Sequence, residues 1–448
     1  MLRRVMGWRY WFEALQALLA AAFVAFRLDY VLTGTAISWQ DTASYEATAG
    51  MPFFSRGFLA GQRPPLSPLL WKLTGSLRSY DVAQTDISIA AFIVLAVVVG
   101  RLASRGAPRL VAFAAVLTIG SSLPVVMWDL SMLSETLALS FGGLSIASLL
   151  LVAERATPIR MTALALSAAG FALARDSDIA TVGILGAGVL VVAVARRGRA
   201  PLFKAVVLGS CLLSLAAITE GAALSSGRNQ INVVNNYDAR VFPDPGRVAW
   251  FAGHGMPDAA YIDQLATHPS HEDHAAPYIY LDESDPHVKD LVAWLDRTGA
   301  RTYLLWLAEN PVFVVSAPFE IPPEAFNFAG GDLTFYQAPG GPVVPWLFAI
   351  VWNWWTALGL LGAACAAALW RRPWSNRVWR ATLGLVAIGF ASVIVSFQGD
   401  SQEITRHSIE ARIWLLLALV AAVAAAFGGR SGEKSGQSGD RFARTVAN

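Results

Sequence analysis

The sequence predicts an all-α polytopic membrane protein of about ten transmembrane helices, with an outward-facing loop region of mixed structure late in the chain. Three observations predict it. Only 15% of the 448 residues are charged and 55% are hydrophobic, against about 25% charged in an ordinary soluble domain. Between the charges run apolar stretches of roughly twenty residues, enough to cross about 30 Å of hydrocarbon as helix. The basic residues gather in alternate short loops.

Helices are expected over 10–32, 84–103, 109–127, 131–153, 160–175, 178–195, 204–223, 344–370, 380–398 and 408–428. The first follows Arg3, Arg4 and Arg9 and has no small-residue cleavage site after it, so it reads as an uncleaved helix rather than a signal peptide. Arg101, Arg105 and Arg109 join the second and third; Arg155 and Arg160 join the fourth and fifth. The fifth is short, and either tilts or dips in and returns with the sixth. Arg196, Arg197, Arg199 and Lys204 join the sixth and seventh; Arg371, Arg372, Arg377 and Arg380 join the eighth and ninth. Counting ten helices puts all these loops and both termini on one side, which the positive-inside rule makes cytoplasmic. The expected location is a bacterial inner membrane, with 33–83, 121–130, 175–178, 224–343 and 399–407 facing the periplasm or exterior.

This divides the chain into a membrane module 1–223 with its first outer loop 33–83, a periplasmic segment 224–343, terminal membrane helices 344–428, and a Gly-, Ser- and charge-rich tail 429–448 that reads as disordered. Within the long segment, 281–315 reads as amphipathic helix. Trp294, Tyr303 and Trp306 would sit at headgroup level, or the helix would pack on the bundle. A net charge of +2 without a long basic run points away from nucleic acid, and Cys211 and Cys365, inside apolar spans, exclude a disulfide framework.

Ionisable residues are nearly absent from mid-span and gather at the outer ends, among them Asp129, Asp176, Asp178, Glu220, Asp400 and Glu403. An ion-coupled transporter would place polar residues and broken helices at the midplane. A catalyst for a lipid headgroup would place acids and cations where the headgroups are. Asp41 and Tyr45 lie four apart on one expected helix face; Asp41 is either a solvated residue of an amphipathic cap or a general base for a hydroxyl or amine acceptor. The prolines after Arg63 hold it in an extended turn, where a guanidinium can clamp a phosphate or meet ordinary lipid phosphates. Glu135 enters the outer end of a span, a costly position unless it is paired or faces a polar cavity. Arg175 could belong to a simple ion pair with Asp176 or Asp178. Arg406 and His407 are cations on the outer side, where charge bias does not put them, which suggests phosphate binding. His268, His271 and His274 could hold a divalent metal, but Pro269 breaks their register and no fourth ligand can be named, so a solvated loop is preferred.

On these residues the chain resembles the GT-C class of integral-membrane glycosyltransferases, in the branch of protein O-mannosyltransferases and lipid A aminoarabinose transferases. The resemblance lies in Asp41 with Tyr45, Arg63-Pro64-Pro65 before Leu69-Leu70, Ser134-Glu135, Ala174-Arg175-Asp176, and Gly399-Asp400 with Arg406-His407, over most of 1–223 and 344–428. It lacks the Asp-Glu pair of the protein mannosyltransferases, and 224–343 resembles no known segment. The resemblance implies a polyprenyl-phosphate sugar as donor, a glycan, lipid or protein acceptor, and an inverting single displacement. Asp41 would be the base, and Tyr45 would support the acceptor. Glu135, with Asp129, would support the acceptor or stabilise charge. Arg63, Arg175, Arg406 and His407 would hold the departing phosphate. No cofactor is expected, and a divalent metal has no support in the sequence. The competing readings are a lipid-linked substrate transporter or flippase, and a non-catalytic assembly protein of the cell envelope.

Overall fold

A computed structural model describes residues 2–39, 41–195, 199–228, 230–257, 286–320, 354–371, 376–401 and 404–428. The helices are α1 (Leu2–Thr33), α2 (Thr42–Gly50), α3 (Arg56–Leu59), α4 (Leu66–Thr74), α5 (Leu77–Leu102), α6 (Ala107–Gly120), α7 (Leu123–Val126), α8 (Glu135–Glu154), α9 (Pro158–Ala174), α10 (Ser177–Ala195), α11 (Arg199–Ser226), α12 (Gln230–Asn236) and α13 (Pro245–Gly253). There follow α14 (Pro286–Trp294), α15 (Ala300–Glu309), α16 (Pro311–Glu320), α17 (Trp354–Arg371), α18 (Arg377–Gly399), α19 (Ile404–His407) and α20 (Ile409–Gly428). Among the described residues no sheet forms; one isolated parallel bridge joins Ile37 and Ser131.

Each expected apolar stretch is largely helical where it is described, with breaks at 121–122 and 131–134. Six helices are long and apolar enough to cross a membrane alone, in α1, α5, α8, α11, α18 and α20; α6 with its bent continuation makes a seventh. That makes this an all-α, multi-pass membrane protein. The count of ten is not reached by length and apolarity among the described residues, because α9 and α10 are apolar but shorter and α17, described from Trp354, does not qualify.

Two elements differ from expectation for local reasons. α5 begins at Leu77, not 84, because Ser76 caps it by accepting from Ser79 N, and Tyr80, Asp81, Gln84 and Thr85 of its polar first turns are buried in the protein. The span expected over 109–127 breaks after Gly120 and resumes at Leu123 with a 54° bend. Pro124 in the first turn of the second piece cannot extend the preceding helix, and the serines before it bond to carbonyls of the last turn, Ser121 Oγ to Leu117 O and Ser122 Oγ to Ile119 O.

α20 is the centre of the bundle, buried along most of its length against α5, α6, α8, α17 and α18. Its approach to α18 is so close that a Cβ on Gly389 would lie 2.9 Å from Leu415 Cα, so only glycine fits there. α1 and α11 are the least buried spans. A separate apolar cluster forms beyond α12 from Tyr237, Phe251, Leu291, Leu295, Tyr303 and Trp306. Tyr303 and Trp306 are thus buried in a protein cluster, as the second of the two expectations for this amphipathic stretch has it. This cluster is tied to the end of α18: Arg240 Nη1 donates to Gln398 Oε1 at 3.2 Å and Asn236 Nδ2 to Gly399 O at 2.9 Å.

Candidate functional site

The broken span delivers the first part of the site. After α7 a 3-10 turn, Met127–Leu130, runs into the irregular stretch Ser131–Ser134 before α8 begins. Irregular backbone inside a bundle must have its polar groups met by neighbours. Gln84 Nε2 donates to the carbonyls of Trp128, Asp129 and Ser131 at 3.1, 3.1 and 3.0 Å. Tyr80 Oη donates to Leu133 O at 2.9 Å, and Trp39 Nε1 to Ser131 Oγ at 2.9 Å. Arg27 of α1 closes the break: Nη1 donates to Gly120 O at 2.8 Å, Nη2 to Ser88 Oγ, and Nε and Nη2 to Asp129 Oδ2 at 2.9 and 2.7 Å. Both residues are fully buried. Asp129, expected beside Glu135 in support of the acceptor or of developing charge, is thus paired with Arg27 and does not line the cavity described below. Arg27 is a buried charge inside a span that the sequence reading had left unmarked.

The first outer loop supplies Asp41 and Arg63. Asp41 is the N-cap of α2, and Tyr45, one turn on, is buried. Arg63 lies in the irregular stretch between α3 and α4 and donates from Nη2 to Asp41 Oδ1 at 2.5 Å and from Nε to Ser44 Oγ at 2.6 Å. Its guanidinium carbon lies 5.0 Å from the centre of the Tyr45 ring, so Tyr45 works as a platform for the cation.

The end of the chain brings the remaining charges to the same place. Arg406 of α19 reaches Asp41 Oδ2 with Nη2 at 3.2 Å and Glu135 Oε1 with Nε at 2.6 Å. It therefore bridges the two acids expected to act together, 365 and 271 residues away in sequence. Glu135 is fully buried and does not line the cavity; it stands behind Arg406, with Arg175 Nη1 at 3.5 Å. Arg175 donates to Glu410 Oε1 at 2.6 Å and lies 3.0 Å from His407 Nδ1. No ion pair joins Arg175 to Asp176 or Asp178 in this turn: Asp176 takes two bonds from Arg228 at 3.0 Å each, while Asp178 is buried. Burial, opposed by Arg228, raises the Asp176 carboxyl above its ordinary value.

His407 stands beside Arg175 at the cavity wall. Burial first, then Arg175, Arg406 and Arg63, hold it well below the ordinary imidazole value. It is neutral near pH 7 and adds no further cation to Arg63, Arg175 and Arg406. Arg175 can only donate, so His407 Nδ1 accepts and the proton sits on Nε2, 3.5 Å from Asp400 Oδ2.

These groups border one cavity of about 480 Å³. Asp41, Tyr45, Arg63, Arg175, Arg406 and His407 all line it. Gln62, Ser177, Ser226, Asn232 and Asn235 add uncharged donors and acceptors to its wall, alongside Asp176, Arg228 and Asp400. The loops expected on the outer side thus converge on one end of the bundle. A second, smaller cavity is lined by Arg101, Glu154, Arg160 and Asn376, from loops expected on the other side.

The sequence reading missed Glu410, Arg228, Asn232 and Asn235. The signal for Glu410 was present: the desolvation cost that singled out Glu135 applies equally to an acid in the first turn of the last span. Arg228 and the two asparagines carry no such mark, since they leave the end of α11 in a stretch of ordinary polar composition. His268, His271 and His274, Glu403 and the tail 429–448 lie outside the described residues. Among the described residues, no group of three His, Cys, Asp or Glu side chains is arranged to hold a metal ion.

No protein-family profile and no curated protein sequence matches this chain. Among solved structures it is similar to the archaeal oligosaccharyltransferase AglB from Archaeoglobus fulgidus, in complex with an inhibitory peptide and a dolichol-phosphate. The identity is 12% and the TM-score 0.44, covering 91% of this chain and 50% of that one. The chain spans about half the length of that protein.

Proposed function

We propose that this protein is a membrane glycosyltransferase of GT-C type. It moves a sugar from a polyprenyl-phosphate donor to a glycan, lipid or protein acceptor at the periplasmic or exterior face of a bacterial inner membrane. The observation that carries the reading is the bridge from Arg406 to Asp41, with Arg63 on the other Asp41 oxygen, at the wall of a polar cavity. A carboxylate held between two cations, beside a third in Arg175, suits a reaction in which a proton is taken up and a phosphate departs.

In this reading the donor phosphate enters the cationic flank and draws Arg63 and Arg406 from Asp41, freeing the carboxylate. An acceptor O–H or N–H attacks the sugar carbon and its proton passes to Asp41. The bond from that carbon to phosphate oxygen breaks, and its electron pair leaves with the polyprenyl phosphate, stabilised by Arg63, Arg406 and Arg175. One displacement inverts the configuration. Neutral His407 orients Arg175, and Glu135 holds Arg406 from behind. The amides and hydroxyls of the wall meet sugar or acceptor hydroxyls.

The test is a purified, nanodisc-held protein offered polyprenyl-phosphate sugars with extracted envelope acceptors. Release of free polyprenyl phosphate with an inverted product supports the reading. Vectorial movement of the intact lipid-linked sugar, without bond cleavage, would replace it with a flippase.

A further inference from the structure

The first outer loop carries a second feature, apart from the charged cavity. Between α2 and α4, Met51, Phe53, Phe54 and Leu59 are exposed, as is Leu73 on α4. Phe54 is 86% exposed, and its φ of 62° is the one positive value at a non-glycine among the described residues. A bulky side chain at positive φ is a conformational outlier. In water this turn would combine an unfavourable backbone with an unfavourable surface.

The turn is nevertheless firmly built. Lys72 Nζ donates to Ala49 O and Met51 O at 2.7 and 2.8 Å and lies 4.8 Å from the Phe53 ring centre. Phe58 is buried and meets Phe53 edge-on, with ring centres 5.6 Å apart. Ser55 Oγ accepts from Phe58 N. Phe54 is therefore held outward by a braced turn.

Its place in the fold says what it meets. The loop leaves α1 at Thr33 and returns to α5 at Leu77, both spans long and apolar enough to cross the bilayer. Arg78 Nη1 ties the two ends together through Gly34 O at 3.2 Å. Leu73, 70% exposed, stands just before the second of these spans, and Arg56, also exposed, adjoins the aromatic tip. Apolar rings with a neighbouring guanidinium are the composition of a membrane-interface anchor, rings among acyl chains and cation at the phosphates.

We propose that the turn from Met51 to Leu59 inserts into the bilayer leaflet on the cavity side, with Phe54 as its deepest residue. The inference does not depend on the reaction proposed above. It has a consequence for the site, because the same turn joins the helix capped by Asp41 to the loop bearing Arg63. A Cβ on Gly61 would lie 2.1 Å from Gly57 O, so the turn and the Arg63 loop are packed without slack. Insertion fixes the depth of the Asp41–Arg63 pair relative to the headgroups.

The chain has two cysteines, Cys211 and Cys365, so a cysteine-free full-length background is simple to make. A nitroxide on Phe54→Cys is compared, in proteoliposomes of phosphatidylethanolamine and phosphatidylglycerol, with Val111→Cys on the exposed face of α6 and with Asp290→Cys on α14. Collision with oxygen reports lipid; collision with a water-soluble nickel chelate reports water. The expected oxygen-to-nickel ratio at Phe54 lies nearer Val111 and several-fold above Asp290. A ratio nearer Asp290 overturns the proposal and makes the tip a surface for a soluble partner. Should the Phe54 variant not fold, Leu73→Cys carries the same comparison.

Discussion

Removing the Asp129 carboxylate separates a structural from a catalytic role. Arg27 is fully buried and directs three N–H contacts of 2.7 to 2.9 Å to Asp129. In Asp129→Ala the guanidinium keeps Gly120 O and Ser88 Oγ but loses its counter-charge. Leaving one partner of a buried pair uncompensated costs about 3–5 kcal/mol. With an unfolding entropy of roughly 2.1 cal/mol/K per residue, a chain of 448 residues shifts its midpoint by about 1 °C per kcal/mol, so a fall of about 3–5 °C is expected. The double variant Arg27→Met with Asp129→Leu removes both charges for apolar groups of similar size and should recover most of that loss. The assay is thermal unfolding in nanodiscs, beside sugar transfer per folded molecule at a permissive temperature. An unchanged midpoint with abolished transfer would refute the structural reading and return Asp129 to the chemistry.

Arg406→Met should leave Asp41 with Arg63 alone and Glu135 with Arg175 at 3.5 Å. Losing one charge-assisted bond to a phosphate costs about 1.5–3 kcal/mol, so polyprenyl-phosphate binding should weaken roughly 10- to 150-fold by titration; unchanged affinity would exclude Arg406 from the phosphate site. His407 gives a pH signature. Its folded value is depressed below 6.5, so the unfolded chain takes the proton more readily. The stability contributed by the neutral ring is then complete above about pH 6.5 and lost as pH falls below it. The midpoint of the parent protein should therefore drop more steeply from pH 7 to pH 5 than that of His407→Gln, and parallel curves would contradict the assignment.

Much of the fold was legible because lipid imposes one simple rule: a span needs a run of apolar residues, and the loops between spans sort by charge. That rule found α8, α11, α18 and α20 to within a few residues. It could not see the bend at Ser121 and Ser122, because Arg27 and Gln84, which satisfy the freed backbone, lie in other helices. It left Tyr303 and Trp306 either at headgroup level or packed on protein, because amphipathic periodicity does not say whether an apolar face meets lipid or protein. At the site, Asp41 stood out by its spacing to Tyr45, Arg63 by the prolines after it, Arg175 by its charged turn and Arg406 by a topology that disfavours it, and the structure gathers all four. Glu135 stood out for the cost of burying a carboxylate, and that cost is met by the partners Arg406 and Arg175, as that of Asp129 is by Arg27. A sequence gives the expense of a buried charge and withholds the identity of its partner. Arg228, whose two bonds to Asp176 and contact with Gly61 O hold the Arg63 loop, carries no expense at all and was invisible.

Binding and turnover measured separately on Asp41→Asn bear most directly on the central claim. The amide keeps the size of the side chain and removes the proton acceptor while leaving Arg63, Arg175 and Arg406 to hold phosphate. The account predicts donor binding at least as tight as in the parent protein, with single-turnover transfer slower by about 10²- to 10⁴-fold. Transfer at the parent rate in a folded Asp41→Asn protein, or loss of donor binding with no change in the chemical step, would contradict it.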